Sequence, residues 1–181
     1  MTDSFETLDG LHDAAWRRME DAARDRRGPA HLVTLATAGQ DGPDARILVL
    51  RRADRIAGEV EVWTNGKSAK IGALEEDPRA TVLIWDPDAQ LQVRLGVHVD
   101  ILPGPADVWE TLPIHAKRNY GVGPAPSDPL STPEEALSAT PSRDAFVKLV
   151  CRVHLMECLH FDQDLHRRAL FTADHRGWIT P

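Results

Sequence analysis

Cysteine and long apolar segments are scarce in this chain of 181 residues. Its two cysteines, Cys151 and Cys158, lie seven positions apart and form no CxxC motif, which excludes a disulfide-rich scaffold and favours a reducing compartment. No apolar run approaches the length of a membrane-spanning helix, and the polar, acidic residues at the start do not resemble a signal peptide. We therefore expect a cytoplasmic protein with no membrane partner.

Positive charge is also scarce, because 28 acidic residues outnumber 21 basic ones and the formal net charge is −7. This balance argues against a nucleic-acid partner, whose phosphates require a basic surface. Any anion site must therefore be a local cluster of basic residues. The hydrophobic share of 42% is typical of a globular protein, and the length suits a single domain over residues 1–181.

The pattern of apolar residues and turn signals predicts a mainly β protein. A helix is expected over 9–27, with Asp9 as its N-cap. Strands at 31–37, 45–52 and 59–64 are joined by short loops, which predicts an antiparallel meander. A short helix capped by Ser68 follows. Further strands are predicted at 79–85, 91–102, 145–161, 167–172 and 178–180.

Residues 103–144 interrupt this pattern with a proline- and glycine-rich excursion. A helix is predicted over 105–115, and a capping box at Thr132–Glu135 predicts another short helix. A long, partly structured segment of this kind is usually a lid or an interface. The whole pattern predicts an antiparallel barrel formed by 31–102 and 145–181, with helical additions.

The strand at 45–52 places a basic residue near each end of an apolar run. The run predicts a strand buried on both faces, and such a strand has no structural need for Arg46 or Arg51. Five steps of extended chain between the two arginines span about 17 Å. That length suits an elongated anionic ligand, with a phosphate at one end and a planar ring at the other. Alternatively, both arginines extend into solvent at the strand ends.

A second basic segment follows at 63–70, where a strand ends and a helix begins. A helix N-terminus with exposed backbone N–H groups attracts anions, and Lys67 and Lys70 add charge. Arg46, Ser68 and Lys70 could together hold a phosphate. Short capped helices with lysines are also common on solvated surfaces, so this segment alone decides little.

Together, the two segments and their spacing resemble the pyridoxamine 5′-phosphate oxidase family of flavin mononucleotide (FMN)-binding split-barrel proteins, in its less characterised branch. In that family an Arg-x-x-Leu-x-(Lys/Arg) strand precedes an aromatic-Thr-Asn strand end, a Ser-x-Lys turn and a helix that ends in acidic residues before Pro-Arg. The matching segments here are Arg46–Arg51, Trp63–Asn65, Ser68–Lys70, Glu75–Arg79, Gln92-Val93 for a following Gln-Val, and Leu165–Arg168 for a closing Leu-His-x-Arg.

The resemblance implies a homodimer of antiparallel split β-barrels that binds FMN between its subunits. Arg46, Ser68 and Lys70 would face the phosphate. Gln92 and Arg168 would add polar contacts to the flavin. The residues implied along the ribityl chain and the ring are Ile47, Leu48, Val49, Leu50, Arg51, Trp63 and Thr64. Two positions are less regular: Ala69 stands where the family often has arginine, and Phe161 is near the place of a family aromatic.

The family's substrate residues are not retained. Asp164 stands where the family has an arginine, and a carboxylate repels a phosphorylated substrate. The Tyr, Arg and Ser that hold the substrate phosphate align with Thr111, His115 and Asn119. We therefore expect a small-molecule substrate other than pyridoxamine phosphate.

The interpretation that follows is an FMN-dependent oxidoreductase whose catalytic residues stay unassigned. The alternatives are a non-catalytic flavin-binding or sensing protein, and a split barrel that holds a deazaflavin or haem. No Gly-x-Ser-x-Gly or other nucleophile motif is present. The histidines and aspartates of 160–166 do not form a convincing ligand set, so no metal site is expected.

Overall fold

The computed structural model describes residues 4–25, 28–39 and 42–181, and a closed antiparallel barrel is its central feature. In this part of the chain the strands are β1 (Leu32–Gly39), β2 (Gly42–Asp54), β3 (Glu59–Asn65), β4 (Arg79–Asp86), β5 (Leu91–Pro103), β6 (Gly121–Val122), β7 (Thr140–Pro141), β8 (Phe146–His160), β9 (Arg167–Thr172) and β10 (Arg176–Ile179). The barrel order is β8-β3-β2-β1-β4-β5, and it closes because β8 pairs with both β3 and β5. This confirms the predicted antiparallel barrel with helical additions.

Four α-helices are added to the strands in the described residues: α1 (Leu8–Asp25), α2 (Ala69–Glu76), α3 (Ala106–Thr111) and α4 (Ile114–Lys117). The prediction for α1 was wrong at its start, because Thr7 is the N-cap: its Oγ1 accepts a hydrogen bond from the Gly10 N–H at 3.0 Å. The last two predicted positions, 26 and 27, lie outside the described residues. No helix in the described ranges is long and apolar enough to cross a membrane.

The core lies inside the barrel and continues onto α1. Side chains from α1, such as Trp16 and Met19, are buried together with Leu35, Leu50 and other barrel residues. The helix therefore buries one apolar face against the barrel, as its 3.6-residue periodicity predicts. The two cysteines belong to the same core, and burial raises the pKa of each thiol to about 12, so they pack rather than react.

β2 does not have the two buried faces that its apolar run predicts. Arg46 lies directly opposite the fully buried Leu35 of β1, so it shares the inward face with Leu50. Ile47 points the other way and is 67% exposed. The apolar run is continuous because its outward face is apolar too, although no other part of the described chain covers Ile47.

β8 is long and bends, as its length predicts. Its register with β5 shifts between Gly96 and Val97, where β8 carries an extra residue. The bend lets the first half of β8 pair with β3 and the second half pair with β9. β9 and β10 form the predicted closing hairpin at the edge of the sheet.

The excursion between β5 and β8 departs from its predicted structure. The single helix predicted over 105–115 is two short helices, because Leu112 adopts an extended conformation before Pro113. The predicted capping box at Thr132 does not form: its side chain makes no capping hydrogen bond, and a 3-10 helix follows at Pro133–Ser138. β6 and β7 pair as a separate two-stranded ribbon.

Candidate functional site

A cluster of cations and hydroxyls lies where β2, β3 and α2 meet, and we call it the basic cluster. Lys70 Nζ donates hydrogen bonds to Thr64 Oγ1 at 3.1 Å and to Ser68 Oγ at 2.8 Å. Arg46 Nη1 donates to Thr37 Oγ1 at 3.0 Å and to the Leu35 carbonyl at 3.2 Å. The members of the basic cluster are Thr37, Arg46, Thr64, Ser68 and Lys70. Three of them, Arg46, Ser68 and Lys70, are the residues predicted to face a phosphate.

The turn between β3 and α2 positions the hydroxyl of Ser68. Ser68 occupies the N-cap position with extended backbone angles, but its side chain makes no capping bond. Its Oγ instead donates to the Asn65 carbonyl at 2.7 Å and accepts from Lys70. Ser68 therefore occupies the predicted N-cap position but does not make the capping hydrogen bond.

The electrostatics of the basic cluster favour an added anion. Burial lowers the pKa of Lys70, and the nearby Arg46 guanidinium lowers it further, while Asp44 partly offsets both effects. Asp44 forms an ion pair with Arg46, and the Asp44 side chain is 59% exposed. Two cations thus share one exposed carboxylate. Lys70 has three N–H donors and uses two within the described part of the chain, which leaves the third for a ligand.

Trp63 lies on the outward face of β3 and is held from three sides. Its Nε1–H donates to Glu61 Oε1 at 2.6 Å, and the Arg51 guanidinium carbon lies 4.7 Å from the ring centroid. The edge of Phe146 completes the contact, with ring centroids 5.4 Å apart. Because Arg46 faces inward, Arg51 and Arg46 occupy opposite faces of β2. The two arginines therefore do not lie on one face of the strand, and a ligand that contacts both stays a prediction.

Gln92 and Arg168 lie far along the sheet from Trp63. Both are directly opposite Leu159, on β5 and β9 respectively, whereas Trp63 is opposite Lys148. These two positions are eleven steps apart along the bent strand β8, which is at most about 36 Å. One chain therefore does not bring Gln92 and Arg168 to the same place as Trp63.

Arg168 belongs to a group that we call the outer-strand cluster: Gln92, Arg94, Glu157 and Arg168. Arg168 Nε and Nη2 donate hydrogen bonds to Glu157 Oε1 at 3.1 and 2.7 Å, respectively. Arg94 pairs with the other carboxylate oxygen of Glu157. Burial alone would raise the pKa of Glu157, but the hydrogen bonds from the two arginines outweigh it and lower the pKa. The carboxylate is therefore ionised and fixes both guanidinium groups.

The positions aligned with the family's substrate residues lie at the surface of the chain. The Thr111 hydroxyl donates to the Val108 carbonyl at 3.0 Å, within its own helix. His115, Asn119 and Asp164 are exposed. Phe161 is 37% exposed and meets the edge of Trp85, with ring centroids 5.7 Å apart.

Several residues in these clusters or bonded to them were not predicted. Asp44 precedes Arg46 by two positions, so the strand period could have placed both on one face. Asn65 stood in the aromatic-Thr-Asn motif without an assigned role. Thr37 and Glu157 reach their partners through the register of neighbouring strands, and the sequence carries no local signal of that register.

No family model matches this chain, and no curated protein matches it. Several solved structures do match the fold of this chain. PhzG from Burkholderia lata 383, in complex with tetrahydrophenazine-1-carboxylic acid, has a TM-score of 0.77 at 21% identity, covering 98% of each chain.

Two further solved structures share this architecture. A pyridoxamine 5′-phosphate oxidase-related, FMN-binding protein from Nostoc punctiforme PCC 73102 has a TM-score of 0.75 at 20% identity, covering 93% of this chain and 96% of that one. A Clostridium acetobutylicum protein related to general stress protein 26 has a TM-score of 0.58 at 12% identity, covering 93% and 97%. As the motifs predicted, the chain has the split-barrel fold of pyridoxamine 5′-phosphate oxidase-related, FMN-binding proteins.

Proposed function

We propose that this protein binds FMN and holds its phosphate at the basic cluster. The observation that carries the proposal is the pairing of two partly buried cations, Arg46 and Lys70, with the hydroxyls of Thr64 and Ser68. A phosphate dianion would neutralise the two cations and reverse the depression of the Lys70 pKa. Charge-assisted hydrogen bonds in a partly buried site are among the stronger polar contacts in proteins.

The rest of the flavin site would come from the outward faces of the sheet, in a homodimer. Trp63, next to Thr64 in the chain, and Arg51 present a planar ring and a guanidinium on the outward face of the sheet. Gln92 and Arg168 lie on the same sheet, at most about 36 Å away along β8, so a second copy of the chain would have to supply them. Outward apolar side chains, Ile47 at 67% and Trp85 at 41% exposed, support a protein partner on these faces.

The proposed activity is that of an oxidoreductase acting on a small molecule. Bound FMN would supply the electron and hydride transfer. The chain would bind the phosphate, orient the ring against Trp63 and exclude water from it. PhzG, a structural neighbour, is solved with tetrahydrophenazine-1-carboxylic acid, and this supports a small organic substrate here.

The binding proposal is tested by titrating the protein with FMN and with riboflavin, which lacks the phosphate. FMN should bind at least tenfold more tightly, since a charged hydrogen bond is worth about 1.5–3 kcal/mol. Lys70→Met should remove most of that difference. Lys67→Met is the matched control, because Lys67 lies in the same turn but is exposed. Equal affinity of the unaltered protein for both flavins would overturn the phosphate site.

Three measurements test the finer parts of the proposal. Light scattering of the flavin-loaded protein should give twice the chain mass of 20.0 kDa, and a monomer would contradict the shared site. Anaerobic mixing with NADH or NADPH, followed by oxygen, should reduce and then reoxidise the flavin. A flavin that no reductant reduces would favour the sensing alternative, and the visible spectrum of the purified protein distinguishes flavin from deazaflavin and haem.

A further inference from the structure

Asn65 ends β3 and is 5% exposed, with both atoms of its side-chain amide in use. Nδ2 donates to the Gly121 carbonyl at 2.9 Å and to the Asn119 carbonyl at 3.2 Å. Oδ1 accepts from the Lys67 backbone N–H at 2.8 Å. The amide oxygen therefore stabilises the turn after β3, and the amide nitrogen binds the excursion.

The backbone of Asn65 continues this connection toward the basic cluster. Its carbonyl accepts from the Ser68 N–H at 3.1 Å and from Ser68 Oγ at 2.7 Å. Ser68 Oγ in turn accepts from Lys70 Nζ at 2.8 Å. An unbroken set of hydrogen bonds thus runs from Gly121 in the excursion, through Asn65 and Ser68, to Lys70.

The excursion end of this path is packed rather than loose. Tyr120 is 8% exposed, and its ring centroid lies 4.5 Å from that of Phe146. Gly121, the first residue of β6, lies so close to Ala139, just before β7, that a Cβ at Gly121 would be 2.6 Å from Ala139 Cβ. A side chain at this position would force its neighbours apart, so close packing helps to position the carbonyl that Asn65 binds.

We propose that Asn65 is a positioning residue that couples phosphate binding at the basic cluster to the order of the excursion. The inference rests on the proposed function, because it assumes that an FMN phosphate contacts Ser68 and Lys70. A phosphate there would restrain Ser68, and through it the turn that Asn65 ends. The Asn65 amide would then hold residues 119–121 more firmly. Coupling of this kind is reciprocal, so an ordered excursion would also tighten phosphate binding.

The variant Asn65→Asp interrupts the path at the hydrogen bonds that Asn65 Nδ2 donates to the excursion. It keeps the size of the side chain and keeps Oδ1 as the acceptor for Lys67, but it removes both donors to the excursion. Asn119→Asp is the matched control, because it makes the same amide-to-carboxylate change at an exposed neighbour. Asn119 contributes its backbone carbonyl to the path, and the control leaves that carbonyl unchanged.

Amide hydrogen exchange at 118–122 and 140–142 is the main readout. In the unaltered protein, saturating FMN should slow this exchange at least fivefold more than saturating riboflavin does. In Asn65→Asp the two flavins should have equal effects, and the ratio of FMN to riboflavin affinity should fall about fivefold. Asn119→Asp should keep both properties. If Asn65 had a purely structural role, Asn65→Asp would speed amide exchange with either flavin bound. The extra protection that FMN gives over riboflavin would then stay unchanged.

The outcomes separate this inference from the proposed function. Equal binding of FMN and riboflavin by the unaltered protein would refute the phosphate site itself. A preference for FMN that survives in Asn65→Asp, with the FMN-dependent protection intact, would refute the coupling alone. If Asn65→Asp does not fold, Ser68→Ala cuts the same path nearer to Lys70. Loss of FMN-dependent protection at saturation in Ser68→Ala would support the coupling, and its retention would overturn it.

Discussion

The basic cluster and the outer-strand cluster contain similar charges. They differ because the carboxylate that pairs with the cations is exposed in the first and buried in the second. In each, two cations share one acidic residue. The Asp44 side chain is 59% exposed beside Arg46, whereas the Glu157 side chain is 5% exposed between Arg94 and Arg168. An exposed carboxylate can be released to water at little cost. A buried one cannot, because it would leave an uncompensated charge.

This difference separates a group that can receive an anion from a group that fixes its own cations. In the proposed complex a phosphate would replace Asp44 as the partner of Arg46, since water would then solvate the released carboxylate. Glu157 stays in place and sets the direction of the Arg168 guanidinium. A contact between Arg168 and a flavin stays a prediction, and it would use the N–H groups that Glu157 does not engage.

The largest expected effect concerns pyridoxamine or pyridoxine 5′-phosphate as substrate, which needs a second phosphate grip that neither cluster supplies. Asp164, His115 and Asn119 stand where the family has cationic and polar phosphate ligands. Losing two charged hydrogen bonds and adding a repulsive carboxylate should cost about 5 kcal/mol, more than a thousandfold in specificity. The measurement is pyridoxal phosphate or peroxide formation with saturating FMN.

The control for this assay is the reoxidation by oxygen of chemically reduced FMN on the same protein sample, which shows that the flavin is competent. Turnover of either phosphorylated vitamer at an ordinary enzymatic rate would contradict the prediction. It would mean that Asp164 does not face the substrate, or that a cation from the excursion, such as Lys117 or Arg118, compensates for the missing phosphate ligands.

Arg46→Ala is expected to have the next largest effect, on flavin affinity. Arg46 is a charged donor of the basic cluster, and a charge-assisted hydrogen bond to phosphate is worth about 1.5–3 kcal/mol. FMN affinity should therefore fall ten- to a hundredfold, while riboflavin affinity should change little. Arg52→Ala is a matched control on the same strand, since Arg52 pairs with Asp54 and Glu59 away from the basic cluster. An unchanged FMN dissociation constant in folded Arg46→Ala would exclude this arginine from the site.

Much of the fold was predictable because its signals are local. Alternating apolar residues and turn dipeptides identified the barrel strands to within a few positions, and the motif spacing identified Arg46, Ser68 and Lys70 as neighbours. The excursion was less predictable, because its segments are too short for periodicity to distinguish one helix from two. Pro113 was the local signal for the break.

The side-chain contacts that define the two clusters could not be predicted from the sequence, and the reason is physical. Glu157 meets Arg94 and Arg168 because β5, β8 and β9 pair in one register, and register depends on packing across the whole barrel. The opposite orientation of Arg46 and Arg51 follows from the strand period. The apolar run between them hid that period, because it is apolar at inward and outward positions alike.

Glu157→Gln should lower stability and leave phosphate selectivity unchanged. Loss of the charged hydrogen bonds to Arg94 and Arg168 should cost about 2 kcal/mol of unfolding free energy at pH 7. Because folding lowers the pKa of Glu157 below its ordinary value of 4.5, this stabilisation is complete above pH 4.5. It is lost as the pH falls through the folded pKa. Urea unfolding at a series of pH values is the measurement.

The matched control is Glu59→Gln, a half-exposed acid paired with Arg52 at 3.7 Å, which should change stability by no more than about 0.5 kcal/mol. A difference between the unaltered protein and Glu157→Gln that grows toward acid pH would contradict the assignment. Glu157 would then not be ionised in the folded state at neutral pH.

The smallest expected effect has the opposite sign: Asp44→Asn should tighten FMN binding. The exposed Asp44 carboxylate competes with a phosphate for Arg46 and also repels it, but an exposed ion pair is worth at most about 1 kcal/mol. The gain should therefore be about two- to fivefold, should spare riboflavin, and should shrink at high salt. Asp100→Asn is the control, because it removes the same charge from an ion pair with Arg152 on the barrel. Weaker FMN binding in Asp44→Asn would show instead that Asp44 holds Arg46 in its binding position, and the contrast with Glu157 would then disappear.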